Sequence, residues 1–128
     1  MLEVEIVAPT LVPGELACVE IERLCALAAA TAGVEEGHVA VEFVDPARIA
    51  ELNFEYRGKP GPTDVLSFPI DEDGLALGPR ELGDVVICAD HTTDLREAVV
   101  HGVLHLVGMD HERDDGEMLA VQREIVSS

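Results

Sequence analysis

Tryptophan is absent from this chain of 128 residues, and its aromatics amount to one tyrosine and three phenylalanines. A core must therefore be aliphatic, which the 48% hydrophobic fraction allows; that fraction also excludes an intrinsically disordered chain. Bases are scarce too: 8 stand against 26 acids, for a formal net charge of −18. Taken alone, this charge opposes a polyanionic partner at long range, although a soluble acidic enzyme with one locally positive pocket would carry it equally well. The three cysteines, Cys18, Cys25 and Cys88, make no CxxC pair and no disulfide framework. Cys18 and Cys25, seven apart, suit one side of a helix as small buried hydrophobes. No apolar run approaches the roughly 20 residues of a membrane span. The opening MLEVEIV carries acids where a secretory signal would carry bases. The expectation is a soluble, cytoplasmic protein with no membrane partner.

What is present alternates strands with helices. LEVEIVA (2–8) has strand periodicity with Leu2, Val4 and Ile6 inward. Pro13-Gly14 opens a helical stretch to about Gly33, striped by Ala17, Ile21, Leu24 and Ala28. HVAVEFV (38–44) reads as a second strand, and Asp45-Pro46 as the cap and first residue of a short helix ending near Tyr56. RGKPGPT (57–63) is a loop between that helix and the strand DVLSFPI (64–70). GDVVICA (83–89) is a fourth strand. A third helix runs from about Asp94 to Val107, with Asp94 and Glu97 at capping-box spacing and Gly108 as its stop. A last helix covers 114–126. Repeats, linkers and a nucleotide-loop glycine pattern are all missing, so residues 1–128 form a single small α+β domain. Its sheet is mixed and about four-stranded, packed with helices, with a metal site in a cleft at a helix end.

The metal expectation comes from HGVLHLVGMDH (101–111), which holds three of the five histidines. His101 and His105 are four apart and project from one helical face. The remaining faces are apolar, so this helix should be buried nearly all round. Gly108 permits a reversal that returns His111 toward the pair. Three neutral imidazoles suit Zn²⁺ and leave one position open, as in catalytic rather than structural sites. A single histidine here would be read as a hydrogen-bonded core residue, but burying three without a shared partner is costly. Asp110 suits the orienting of a ligand. Of the other histidines, His38 should be exposed at a strand start, and His91, ahead of the third helix, has no partner in sequence. The same spacing occurs in the metzincin proteases, HExxHxxGxxH. Here, however, Gly102 follows the first histidine, where those enzymes carry a glutamate as general base.

HGVLHLVGMDH also resembles the HGxLHLxGxDH signature of the YbeY family of bacterial endoribonucleases. LNFEYRGKPGPTDVLSFP (52–69) is similar to that family's N-x-x-Y-R-x-K…T-D-V-L-S-F-P segment, GDVVIC (83–88) to its next strand, and the tail with Met118 and Glu124 to its closing helix. The matches keep family order over about the last three-fifths of the chain. Two departures stand out: Met109 replaces an aromatic residue, and the connection 89–100 is shorter than is common. The resemblance implies a zinc-dependent, single-strand-specific endoribonuclease of the bacterial cytoplasm, with one Zn²⁺ on His101, His105 and His111. It implies a part in rRNA maturation, notably at the 3′ end of the small-subunit RNA, and in ribosome quality control, with ribosomal small-subunit proteins as further partners.

The same resemblance makes Arg57 functionally important, so that Arg57 and His101 are the expected catalytic residues. On charge pattern alone, Arg57 and Lys59 would be a solvated loop. Beside a metal they make a local positive focus in an acidic protein. Thr63, Asp64 and Asp84 suit turn and site roles equally. Two other readings stay open: a metallohydrolase of peptide or amide bonds, against which Gly102 argues, and a metal-stabilised ribosome-assembly factor without nuclease activity.

Overall fold

A computed structural model describes residues 2–7, 17–70, 80–109 and 116–127. Among these, β1 (Leu2–Val7), β2 (Gly37–Phe43), β3 (Val65–Pro69) and β4 (Arg80–Ile87) form one sheet in the order β1-β2-β4-β3. β1 and β4 both run parallel to β2, and β3 lies antiparallel to β4 at the edge. The mixed, four-stranded sheet expected from the strand patterns is therefore present. β4 begins at Arg80, earlier than its apolar run, because Arg80 and Glu81 pair with Gly37 and His38 across the ladder.

The helices are α1 (Cys18–Ala30), α2 (Pro46–Arg57), α3 (Leu95–Leu106) and α4 (Glu117–Val126). Two of them start where sequence places a cap. Asp45 accepts from the Arg48 amide at 2.8 Å, and Asp94 accepts from the amides of Arg96 and Glu97 at 3.0 and 3.2 Å. Gly108, φ +101°, ends the α3 segment in a conformation that L side chains rarely adopt. The expected helix start at Pro13-Gly14 lies outside the described residues.

Alternation along β4 divides the core in two. Val85 and Ile87 join Val39, Val41 and Phe43 beneath α1, α3 and α4. Val86 and Cys88 turn to the other face, where α2 covers them with Ile49 and Leu52. α3 is the central helix: Val99, Val100, Val103 and Leu104 are fully buried between the sheet, α1 and α4. Cys25 is buried as expected and Cys88 is buried too, whereas Cys18, expected on the buried side, is exposed at the first turn of α1. Burial pushes the Cys25 thiol up to about 12, so it is not a thiolate at neutral pH.

Gly102 sets the distance between α3 and the sheet. A Cβ there would lie 2.4 Å from Val85 Cγ1, a separation that real contacts do not show. Ser67 Oγ on β3 donates to the Gly102 carbonyl at 2.9 Å and ties the edge strand to the same point. Gly102→Ala should therefore destabilise the fold by about 1–3 kcal/mol. In urea melts, the Gly102→Ala/Val85→Ala pair should lose less stability than the sum of the two single changes; strict additivity would show that the contact is not limiting.

His38 corrects the expectation of a free surface histidine. Its Nδ1 lies 2.5 Å from Glu81 Oε1 and its Nε2 3.2 Å from Glu5 Oε1, across three adjacent strands. The Glu81 carboxylate, then Glu5, outweighs burial and raises the imidazole pKa above its ordinary value. The stabilisation is thus complete below the unfolded value of about 6.5 and is lost as pH rises through the raised folded value. His38→Gln should lower the urea midpoint near pH 5.5 and differ little from wild type near pH 9, roughly one to three units either side of the unfolded value. A deficit that is equal at both pH values would show that the ion pairs contribute nothing.

Candidate functional site

One face of α3 escapes burial and opens on a cleft of about 740 Å³. Glu97, His101 and His105 follow one another at intervals of four, so they stack along this face, and all three line the cleft. The edge strand β3 forms the opposite wall with Val65 and Ser67, and the capped turn Thr92–Asp94 closes one end. Gly108 and Met109 sit at the other end, with Gln122 reaching in from α4.

The two imidazoles converge. His101 Nε2 and His105 Nε2 are 3.1 Å apart, with ring centroids separated by 4.7 Å at an interplanar angle of 76°. Two nitrogens each about 2.0–2.1 Å from a tetrahedral zinc would themselves be about 3.3 Å apart. His101 Nδ1 lies 2.8 Å from Gln122 Oε1, which can only accept, so the ring donates there and, when neutral, carries its lone pair on Nε2. His105 also occupies the last turn of α3, where the negative end of the helix dipole favours a cation. These donors fit a divalent ion on chemistry and spacing. His111 and Asp110 lie outside the described residues, and among the described residues no group of three His, Cys, Asp or Glu side chains gathers at one point.

Arg57 reaches the cleft from its far rim. It is the last residue of α2, and the chain turns at Gly58, whose amide donates to the Phe54 carbonyl. Asn53 Nδ2 donates to the Gly61 carbonyl at 2.9 Å, folding the following loop back onto the helix. Arg57, Thr63 and Asp64 thereby face the histidines across β3. Asp64 Oδ1 accepts from the Val65 amide at 2.8 Å and from Thr63 Oγ1 at 3.3 Å, which shapes the turn. Among the described residues, Arg23 and Arg96 are engaged by Glu20 and Arg48 by Glu51, while Arg57 and Lys59 form no ion pair. Lys59 and Asp84 are exposed and do not line the cleft, nor does His91, which ends a short 3₁₀ turn.

Gly102 also decides which chemistry the site can carry. The position next to His101 points into the sheet against Val85, so a glutamate there would have neither room nor access to the cleft. Sequence reading passed over Gln122 and Glu97. The available signal for Gln122 was a polar residue on the apolar stripe Met118, Gln122, Ile125; for Glu97, it was continuation of the histidine spacing one turn upstream.

The fold and cleft define a small α+β protein organised round a histidine-bearing central helix. The profile of the family described as Endoribonuclease YbeY matches residues 16–128. Curated relatives described as Endoribonuclease YbeY include those of Bacillus licheniformis (40% identical), Geobacillus kaustophilus (42%) and Bacillus subtilis (37%). These alignments cover 84–85% of this chain and 82–83% of the relatives. The solution structure of TM1509 from Thermotoga maritima superposes with a TM-score of 0.57 at 25% identity, covering 99% of this chain and 87% of that one. The chain belongs to the YbeY endoribonuclease family. Among the described residues, no helix is long and apolar enough to cross a membrane.

If Gln122 fixes the His101 ring, its removal should be visible without any metal. In ¹⁵N spectra of the imidazoles, wild-type His101 should be the Nδ1-protonated tautomer. Gln122→Leu, close in size on an apolar stripe, should yield a tautomer mixture in a folded protein. An unchanged His101 signal in that variant would show that Gln122 does not hold the ring.

Proposed function

We propose that this protein is a metal-dependent endoribonuclease that cuts single-stranded RNA in the cytoplasm. His101 and His105, joined by His111, hold one Zn²⁺. The observation that carries this reading is the 3.1 Å approach of two Nε2 atoms inside a cleft whose opposite rim bears Arg57. The family's description, Endoribonuclease YbeY, supports the reaction and the substrate class. Maturation of rRNA at the 3′ end of the small-subunit RNA, ribosome quality control and contact with small-subunit proteins follow from the motif resemblance.

Each residue has a task that its chemistry suits. The Arg57 guanidinium binds phosphoryl oxygens through paired N–H donors and offsets the charge that builds on them as the ester bond breaks. A zinc ion on three neutral imidazoles would supply Lewis acidity toward the same phosphoryl group. His101 presents Nε2 because Gln122 holds Nδ1. Glu97, one turn before His101 on the same face, is a carboxylate able to accept a proton from an attacking hydroxyl. Peptide hydrolysis in the metzincin manner is disfavoured, because its base position is Gly102 packed on Val85.

The test is cleavage of a labelled single-stranded RNA by metal-analysed, tag-free protein beside identically purified variants. Arg57→Ala should keep its zinc and lose about 10²–10³-fold in cleavage rate. His105→Ala should lose both zinc and cleavage. Glu97→Gln should keep zinc and cut more slowly. Equal cutting by all four preparations would trace the activity to a contaminating nuclease. Full metal occupancy without cutting in the wild type would leave a metal-stabilised assembly factor as the better reading.

A further inference from the structure

The chain spends its few aromatic rings in an unusual way. Of its four, Phe43 is buried at 1% exposure, whereas Phe54 and Tyr56 are 66% and 65% exposed on α2. Phe68 is half-buried on β3, and its ring centroid is 4.7 Å from that of Tyr56 at 63°. An edge contact of this kind holds the Tyr56 ring in place while leaving most of its surface open. Single exposed hydrophobes are ordinary, but here three of four aromatics flank one basic loop. Tyr56 precedes Arg57 directly. Phe54 is three residues before Arg57, on the same side of the helix.

We infer that Tyr56, seated on Phe68, is a stacking subsite for one unpaired base of the RNA, next to the phosphate that Arg57 binds. This rests on the nuclease reading above and goes beyond it by naming where a base is held. β3 explains the juxtaposition. Val65 and Ser67 face the histidine cleft, while Leu66 and Phe68 alternate to the α2 side. As an edge strand, β3 is a single ridge between the cleft and the aromatic face, and Arg57 stands at their junction. Charge favours nucleic acid as the occupant: among the described residues, Arg57 and Lys59 form no ion pair, in a chain that is otherwise strongly acidic. Only an unstacked base offers its face to such a ring, so the subsite would select single strands over duplex.

The experiment compares two labelled hexamers of equal charge, six uridines and an abasic ribose-phosphate strand, by fluorescence anisotropy on the full zinc-loaded chain, with hexamer integrity checked on gels. Wild type should bind the uridine strand about 5- to 100-fold more tightly than the abasic one. Tyr56→Leu, which keeps an apolar contact with Phe68, should bring that ratio near one and leave abasic binding unchanged. Tyr56→Trp should keep or raise the ratio, and it serves as the test should the leucine variant fail to fold. A wild-type protein that cuts RNA yet binds both hexamers alike would overturn the stacking subsite and leave the nuclease reading standing. So would a ratio unaltered by Tyr56→Leu, or one abolished by Tyr56→Trp in a folded protein. Failure to bind either hexamer, with no cleavage of longer RNA, would remove the nuclease reading and this inference together.

Discussion

Everything at the site depends on how closely α3 can lie on β4. Gly102 permits that approach, because any side chain there meets Val85 Cγ1. The neighbouring residues on the helix are apolar on three sides, so α3 packs simultaneously on the sheet, α1 and α4. Beyond its first residues, the stripe continued by His101 and His105 from Glu97 is left half-buried, and it lines a cleft. A helix gripped this tightly is a rigid platform. Two imidazoles four residues apart on it need no reorganisation to converge, which is what a preorganised metal centre requires. The Ser67 Oγ bond to the Gly102 carbonyl extends the same constraint to β3, and so to the wall opposite the histidines.

The large negative charge and the RNA reading are reconciled locally. Long-range repulsion is a property of the whole acidic surface, but salt screens it within about 8–10 Å. Inside the cleft the relevant charges are few. Asp94 is committed to capping α3, and Asp64 to its own turn, so both carboxylates are already occupied by amide or hydroxyl donors. Arg57 has no such commitment among the described residues. A phosphate approaching the cleft would therefore meet an available guanidinium and whatever cation the histidines hold, set against the one further carboxylate of the described lining, Glu97. The acidic exterior would then suppress indiscriminate binding, leaving selection to contacts at the cleft rim.

Much of this was legible in the sequence, for a reason common to the successes: the signals were local. Cap residues Asp45 and Asp94, alternation in LEVEIV, and the spacing of His101 and His105 all act within one or two turns of chain. The misses were non-local. His38 looks like an exposed residue at a strand start, but Glu5 and Glu81, 33 and 43 residues away, meet it once the parallel strands are in register. Gln122 is 21 residues from His101, and its role exists only after α4 docks on α3. Cys18 was placed on the buried side of its helix by spacing alone. It lies in the first turn of α1 and is exposed there. The His111 placement, the third part of the metal expectation, falls outside the described residues.

Gly102 also separates this site from the peptidases that share its histidine spacing, and the separation is steric before it is chemical. A general base immediately after the first ligand would have to project from α3 toward the cleft, yet in this packing that position projects into β4. Restoring a glutamate would require moving the helix off the sheet, which would break the burial that holds His101 and His105 together. The carboxylate that α3 does offer, Glu97, stands a full turn away along the histidine stripe. It faces a different part of any bound substrate than a base at position 102 would. With the same histidine spacing, the closeness of helix and sheet thus leaves a carboxylate one turn along the helix rather than one beside His101, and keeps the space over the histidines open toward Arg57. A tetrahedral phosphate diester, which carries its own negative charge, suits that open and cationic geometry better than a neutral peptide does.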